Sequence, residues 1–336
     1  MPDSLCDRIP EVTTGALVSG LVPPPHFGHV SFDSYVPDPY YASQAAAVAT
    51  ARAFATAGNA PVKKRLFRKA SPAEARPGIY FDGGFGVGKT HLLASVWHAA
   101  PAPKAFGTFV TYTHLVGALG FAAAVEALSD RTLVCIDEFE LDDPGDTVLM
   151  SSLLMALTQR GVRLAATSNT LPDALGEGRF AADDFLREIQ GLSAHFDVLR
   201  IEGVDYRHRG VPRAPKASTF EQAQKAAERP GATLDHFDDV IAHLSHVHPS
   251  KYAQLVQDTP LVVWTDVRQL TDQSEALRFV VLVDRLYDND VPVVASGESV
   301  GHVFAPEMLK GGYRKKYFRA LSRLAALAEA GEGLAR

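Results

Sequence analysis

Residues 79–92 read IYFDGGFGVGKTHL. A short apolar run gives way to glycines at 83, 84, 86 and 88, then to Lys89, Thr90 and a segment with helical character. Gly83, Gly84, Phe85, Gly86, Val87, Gly88, Lys89 and Thr90 match G-x-x-x-x-G-K-[ST]. Glycines let backbone N–H groups turn inward around a phosphate without Cβ clashes. A helix beginning near Lys89 adds the positive end of its dipole. Lys89 is expected to reach the β- and γ-phosphates of ATP, and Thr90 to ligate Mg²⁺. His91 joins the candidate nucleotide contacts. The competing reading is a glycine-rich turn with no ligand; the position between a strand and a helix favours the phosphate site.

Outward from this stretch the chain settles into a rhythm. GIYFD, GTFVTYT, TLVCIDE, VRLAATSN and FDVLRIEG read as strands; KTHLLASVWHAA, HLVGALGFAAAVEALS, GDTVLMSSLLMALTQRG and ADDFLREIQGLSAH read as the helices between them. Apolar strands alternating with helices indicate a parallel sheet covered on both faces, an α/β fold of the P-loop NTPase class. Before the rhythm lies SQAAAVATARAFATAG (43–58), a helix with Ser43 as N-cap and Gly58 as terminator. The first 30 residues, rich in Pro and Gly, read as extended.

The strand TLVCIDE ends in Asp137 and Glu138. Asp137 is placed to hold Mg²⁺ through water, and Glu138 to orient or deprotonate the attacking water. An isolated DE pair means little; downstream of a P-loop it carries weight. Asn169, closing LAATSN, is read as a γ-phosphate sensor that helps place water, against the alternative of an Asn in a strand-to-loop turn.

Composition narrows the class. With 336 residues the chain suits one large or two medium domains. Its 46% hydrophobic and 21% charged content is that of an ordinary globular protein. A formal net charge of -6 argues against a protein that coats DNA. The N-terminus has no secretory pattern, and no apolar run approaches the ~20 residues of a membrane span. Cys6 and Cys135 lie far apart, so no disulfide is expected and a cytoplasmic location fits.

Three regions are expected: an extended segment 1–42, an ATPase core 43–210, and a C-terminal region 211–336. In the last, FEQAQKAAERPGATLDHFDDVIAHLSHVHPSKYAQLVQD (220–258) reads as helical, broken at Pro230-Gly231. PLVVWTD, DQSEALRFVVLVDRLYDND and VPVVASGE then form a βαβ unit expected to extend the core sheet, followed by a closing helix, YRKKYFRALSRLAALAEAG. The unit echoes the TLVCIDE–helix–VRLAATSN block without its paired acids.

A P-loop, a DE strand and a TSN strand in this order resemble a AAA+ ATPase. CIDEFELDDPGDTVLM, QRGVRLAATSNTLPDAL, FDVLRIEGVDYRHR and the later EALRFVVLVDRLYDNDVPVVASGE resemble, more closely, the ZapE cell-division ATPase family and its mitochondrial lactation-elevated relatives. The resemblance covers about residues 40–326. It implies ATP-dependent homo-oligomerisation and action on a protein partner, an FtsZ-type division filament; the mitochondrial branch implies protein quality control instead. It also implies an arginine finger, with Arg187 and Arg179 as candidates, and a second sensor, with Arg207, Arg278 and Arg323 as candidates. Gln44 is its candidate adenine contact. The chain departs from the family pattern in lacking a histidine-rich stretch before TLVCIDE, and GRFAADDFLREI replaces the usual arginine and proline pattern.

GGFGVGKTHLL also resembles the P-loops of helicase loaders and replication initiators, but the C-terminal third lacks a helix-turn-helix pattern. An ATP-binding scaffold has no need of Glu138. The basic runs PVKKRLFRK and YRKKYFR read as solvated faces rather than nucleic-acid grips. Asp239, His243 and His246 share a helix face but lack further metal ligands nearby.

Overall fold

Five short apolar segments pair in parallel in the order β2-β3-β4-β1-β5. They are β1 (Gly78–Gly83), β2 (Lys104–Thr108), β3 (Leu133–Asp137), β4 (Arg163–Ser168) and β5 (Phe196–Ile201). The computed structural model describes residues 2–10, 13–57, 78–84, 86–139, 144–169, 191, 194–203 and 216–334. They fall into two units, one of residues 14–23 and 27–206, the other of 1–13, 24–26 and 207–336.

In the first unit, alternate strand residues feed two cores. Ile79, Phe81, Leu133, Cys135 and Ala165 pack with α2 (Ala42–Ala57) and α3 (Lys89–Ala99). Tyr80, Val134, Ile136, Leu164 and Ala166 pack on the opposite face with α4 (Phe109–Leu119), α5 (Phe121–Ser129) and α6 (Pro144–Gln159). Both faces are therefore covered, as uniformly apolar strands require. The register sets Asp82 beside Ser168 and Ile136 beside Ala166, which aligns the carboxyl ends of β1, β4 and β3.

Local chemistry corrects two boundaries. The strand expected over GTFVTYT lies instead at Lys104–Thr108. Thr108 N-caps α4, its hydroxyl accepting from the Thr111 N–H while Thr111 caps back; such a box is worth about 1 kcal/mol and starts the helix early. The single helix expected over 114–129 is two, bent by 118°. Gly120, at φ 79 and ψ 155, makes the break, a conformation only glycine adopts without strain. No single helix among the described residues is long and apolar enough to cross a membrane, although this bent pair passes by length and composition alone.

The second unit holds its own sheet, which corrects the expectation that the C-terminal βαβ extends the core. Here β6 (Thr233–His236), β7 (Val262–Val267) and β8 (Val293–Gly297) pair in parallel in that order. β6 falls where a helix was expected. It is too short and polar to show a period, and its Asp235 is buried for a nonlocal reason: the carboxylate accepts from Ser4 Oγ and from the N–H groups of Leu5 and Cys6. The N-terminal residues, expected to be merely extended, thus pack Leu5 into this unit's core. Residues Thr14–Ser19 form a short helix, α1, in the other unit.

One face of this sheet carries α7 (Phe220–Ala227), whose alanines pack with Val263 and Val294. The other carries α8 (Phe237–His246), α9 (Tyr252–Leu255), α10 (Gln273–Asp288) and α11 (Arg314–Glu332) around Trp264 and Phe279. Between α10 and α11, Asp284 accepts from Arg319 at 2.9 Å and from Arg323.

Candidate active site

The carboxyl ends of β1, β4 and β3 carry the site, because β4 lies between the other two. β1 ends in Asp82 and Gly83. A Cβ at Gly83 would lie 2.4 Å from the Ile201 carbonyl oxygen, so a side chain there would push β5 away. Gly88 sits in the left-handed region at φ 84, and among the described residues no side chain caps the helix it begins. The first turn of α3 also holds no acidic residue. The N–H groups of a helix's first turn and the positive end of its dipole favour an anion at this position.

Lys89 Nζ donates to the carbonyls of Gly83 and Gly84, at 2.8 and 2.6 Å, and to Asn169 Oδ1 at 2.9 Å. The loop thus folds its own cation back on itself and ties it to the tip of β4. Thr90 Oγ1 lies 3.1 Å from both carboxylate oxygens of Asp137. A buried carboxylate beside a hydroxyl is a set of hard oxygen donors, which suits Mg²⁺.

Thr167, which sequence reading passed over, joins the two acids. Its hydroxyl donates to Asp137 Oδ1 and accepts from the Glu138 N–H at 3.1 Å. Glu138 itself takes a left-handed φ of 53, uncommon outside glycine. Phe139 holds the chain in that turn: its N–H donates to the Thr167 carbonyl at 2.7 Å. Its ring is fully buried edge-on to Tyr80, Phe109 and Phe196. The aromatic anchor goes inward, and Glu138 stays half-buried at the mouth of the site. The Phe of IDEF was the available signal for this anchor.

Asp82 is a third carboxylate here that sequence reading missed. Burial raises its pKa, against the opposing charges of Arg200 and Lys89. Gln44 is buried with both ends of its amide engaged: Oε1 accepts from the Asp38 N–H at 2.8 Å, and Nε2 donates to the Glu202 carbonyl at 2.9 Å. His91 turns away from the loop toward the N-terminal segment, with Nε2 3.0 Å from Ser34 Oγ and from the Ser31 carbonyl.

The structure therefore gathers Gly83, Gly84, Gly86, Val87, Gly88, Lys89, Thr90, Asp137, Glu138 and Asn169 into one region. Phe85, Arg179, Arg187 and Arg207 lie outside the described residues. Arg278 stands on α10 of the other unit, its Nε buried without a hydrogen-bond partner among the described residues. Arg323 is bound to Asp284 there. His243 Nε2 contacts the Arg8 carbonyl at 3.0 Å. No group of three or more metal-ligating side chains occurs among the described residues, so the His243/His246 face gains no further ligands.

A protein-family model described as AFG1-like ATPase matches residues 12–229 and 216–336. The chain is 29% identical over 291 residues to the cell division protein ZapE of Escherichia coli K12, covering 74% of this chain and 76% of that protein. It is 26% identical over 209 residues to lactation elevated protein 1 homolog B of Danio rerio, covering 52% of this chain and 42% of that one. Among solved structures, DnaI aligns at 16% identity with a TM-score of 0.42, over 57% of this chain and 99% of that one. At that score the likeness says nothing about function.

Proposed function

Because the chain belongs to the AFG1-like ATPase family, we propose that it is a Mg²⁺-dependent ATPase of the ZapE type whose turnover remodels a protein partner in the cytoplasm, an FtsZ-type division filament. One observation carries the catalytic part: Lys89–Asn169 and Thr90–Asp137–Thr167–Glu138 form two hydrogen-bonded chains at the ends of three adjacent strands. That is where open α/β sheets bind their ligands.

Lys89 exchanges its loop carbonyls for the β- and γ-phosphates. Thr90 and Asp137 would hold Mg²⁺, which would supply neutralisation of the phosphate charge. Glu138 orients a water and takes its proton as the oxygen bonds to the γ-phosphorus and the bond to the β-phosphate oxygen breaks. Asn169 fixes Lys89 and the γ-phosphate side of the site. An arginine from a neighbouring copy in an ATP-dependent homo-oligomer, Arg187 or Arg179, completes the charge stabilisation. The division partner rests on the ZapE relative, which is named a cell division protein.

The test is steady-state ATP hydrolysis with Mg²⁺ by the wild type, Lys89→Ala and Glu138→Gln. Each is assayed alone, with FtsZ-type filaments, and with single-stranded DNA. Turnover by the wild type alone, loss in both variants and stimulation by filaments support the reading. Stimulation by DNA instead points to an ATPase of the helicase-loader or initiator type. A wild type no more active than Glu138→Gln in every mixture leaves an ATP-binding scaffold.

A further inference from the structure

Tyr35 lies well before the phosphate loop in sequence, yet its hydroxyl donates to the Val87 carbonyl at 2.7 Å in a buried setting. Its ring occupies the space on Gly88 where a side chain would stand: a Cβ there would lie 2.5 Å from Tyr35 Cε2. The ring meets His91 edge-on at 5.6 Å between centroids. The strap carrying Tyr35 is fastened to α3 twice. His91 Nε2 contacts Ser34 and Ser31, and His98 Nε2 contacts the Phe27 carbonyl at 2.9 Å.

We propose that Tyr35 is a positioning residue of the phosphate loop, which sets the direction of the Gly88 amide and so the affinity for the nucleotide's phosphates. The Val87–Gly88 peptide is trans, so its C=O and N–H point in opposite directions. Holding the carbonyl toward Tyr35 turns the Gly88 N–H away from the strap. Gly88 is then required twice, for its left-handed φ and to leave room for the ring. Burial raises the Tyr35 pKa, so the phenol stays a donor at neutral pH. Because this role acts through the loop and touches no reacting atom, it governs binding more than turnover.

The inference rests on reading residues 83–90 as the phosphate site, and the experiment separates the two. Fluorescent N-methylanthraniloyl-ADP with Mg²⁺ is titrated into the full chain as wild type, Lys89→Ala, Tyr35→Phe and Ser34→Ala. Unliganded melting and kcat at saturating ATP are measured beside it. Tyr35→Phe removes one oxygen and should weaken Kd about ten-fold while kcat stays within about two-fold. Ser34→Ala loosens the strap without touching the loop and should weaken Kd about two- to three-fold. Wild-type Kd in both variants overturns the inference, including where melting falls, since that is packing alone. So does a fall in kcat at unchanged Kd. If the wild type does not bind, or Lys89→Ala binds as well, the phosphate-site reading fails and the inference goes with it.

Discussion

Lys89 and Asn169 are in direct contact, with Nζ 2.9 Å from Oδ1, so the phosphate loop of β1 and the tip of β4 share one cation. The same ammonium also satisfies two loop carbonyls. An arriving phosphate must compete with three uncharged acceptors. Its negative charge would add a Coulomb attraction to the ammonium that an uncharged oxygen lacks.

The shared cation makes the two residues act together. Asn169→Ala should lower kcat by about 100- to 1000-fold, a loss of the size expected for one polar group aimed at developing charge. Combined with Lys89→Ala, the loss should fall short of the sum by about 1–2 kcal/mol, as for residues in one network. A double-mutant cycle on kcat/KM checks this; additivity within about 0.5 kcal/mol would show that the contact plays no part in turnover.

Thr167→Val keeps the shape of a buried side chain and deletes the hydroxyl that bridges Asp137 and Glu138. Stability should fall by about 1–2 kcal/mol, since the Glu138 N–H loses its acceptor. Turnover should fall about ten-fold, and half-maximal activity should need more Mg²⁺, because Asp137 loses one of the hydroxyl groups that orient it. A Mg²⁺ titration of hydrolysis reads both effects. An unchanged Mg²⁺ midpoint counts against the bridge.

Gly203, two residues beyond the end of β5, packs against the phosphate loop. A Cβ there would lie 2.6 Å from Val87 Cγ1 and 3.2 Å from Gln44 Nε2. Gly203→Ala should cost about 1–3 kcal/mol, the usual range for overpacking. Thermal melting with and without ADP should show a larger loss with ADP, because Val87 is pushed within the loop. Equal losses would confine the effect to the scaffold.

The second unit carries its own pH signature. Burial alone would raise the Asp284 pKa, but the guanidinium groups of Arg319 and Arg323, helped by Arg285, outweigh it and hold the value below the usual carboxylate range. A folded pKa below the unfolded one gives stability that is present above the unfolded value of about 4 and lost as pH falls through the folded one. Asp284→Asn should therefore cost about 3 kcal/mol at pH 7, where two part-buried guanidinium groups lose their carboxylate, and less at pH 3. Denaturant titrations at both values test the sign; a larger cost in acid would reverse the assignment.

Much of the candidate site was legible because its signals are local. An apolar run, glycines and Lys-Thr mark a strand, a loop and a helix start within one short window, and IDE and TSN mark two further strand ends by abrupt polarity. The family resemblance read from those motifs agrees with the family that the chain belongs to. The α/β class followed from the alternation of apolar strands and helices, and the parallel sheet is there.

Residue type and local period are written in the chain: which segments bury, where phosphate-friendly backbone occurs, and which strand ends bear acids. Tertiary structure alone decided the contacts between distant segments. It put Tyr35 on Val87, 52 residues away, Thr167 on Asp137, 30 away, and Ser4 on Asp235, 231 away. It also gave β6 a partner in β7 and kept the three C-terminal strands in a sheet of their own. A hydrogen bond across such separations leaves no periodicity in the chain, because its two ends are selected by the packing of everything between them.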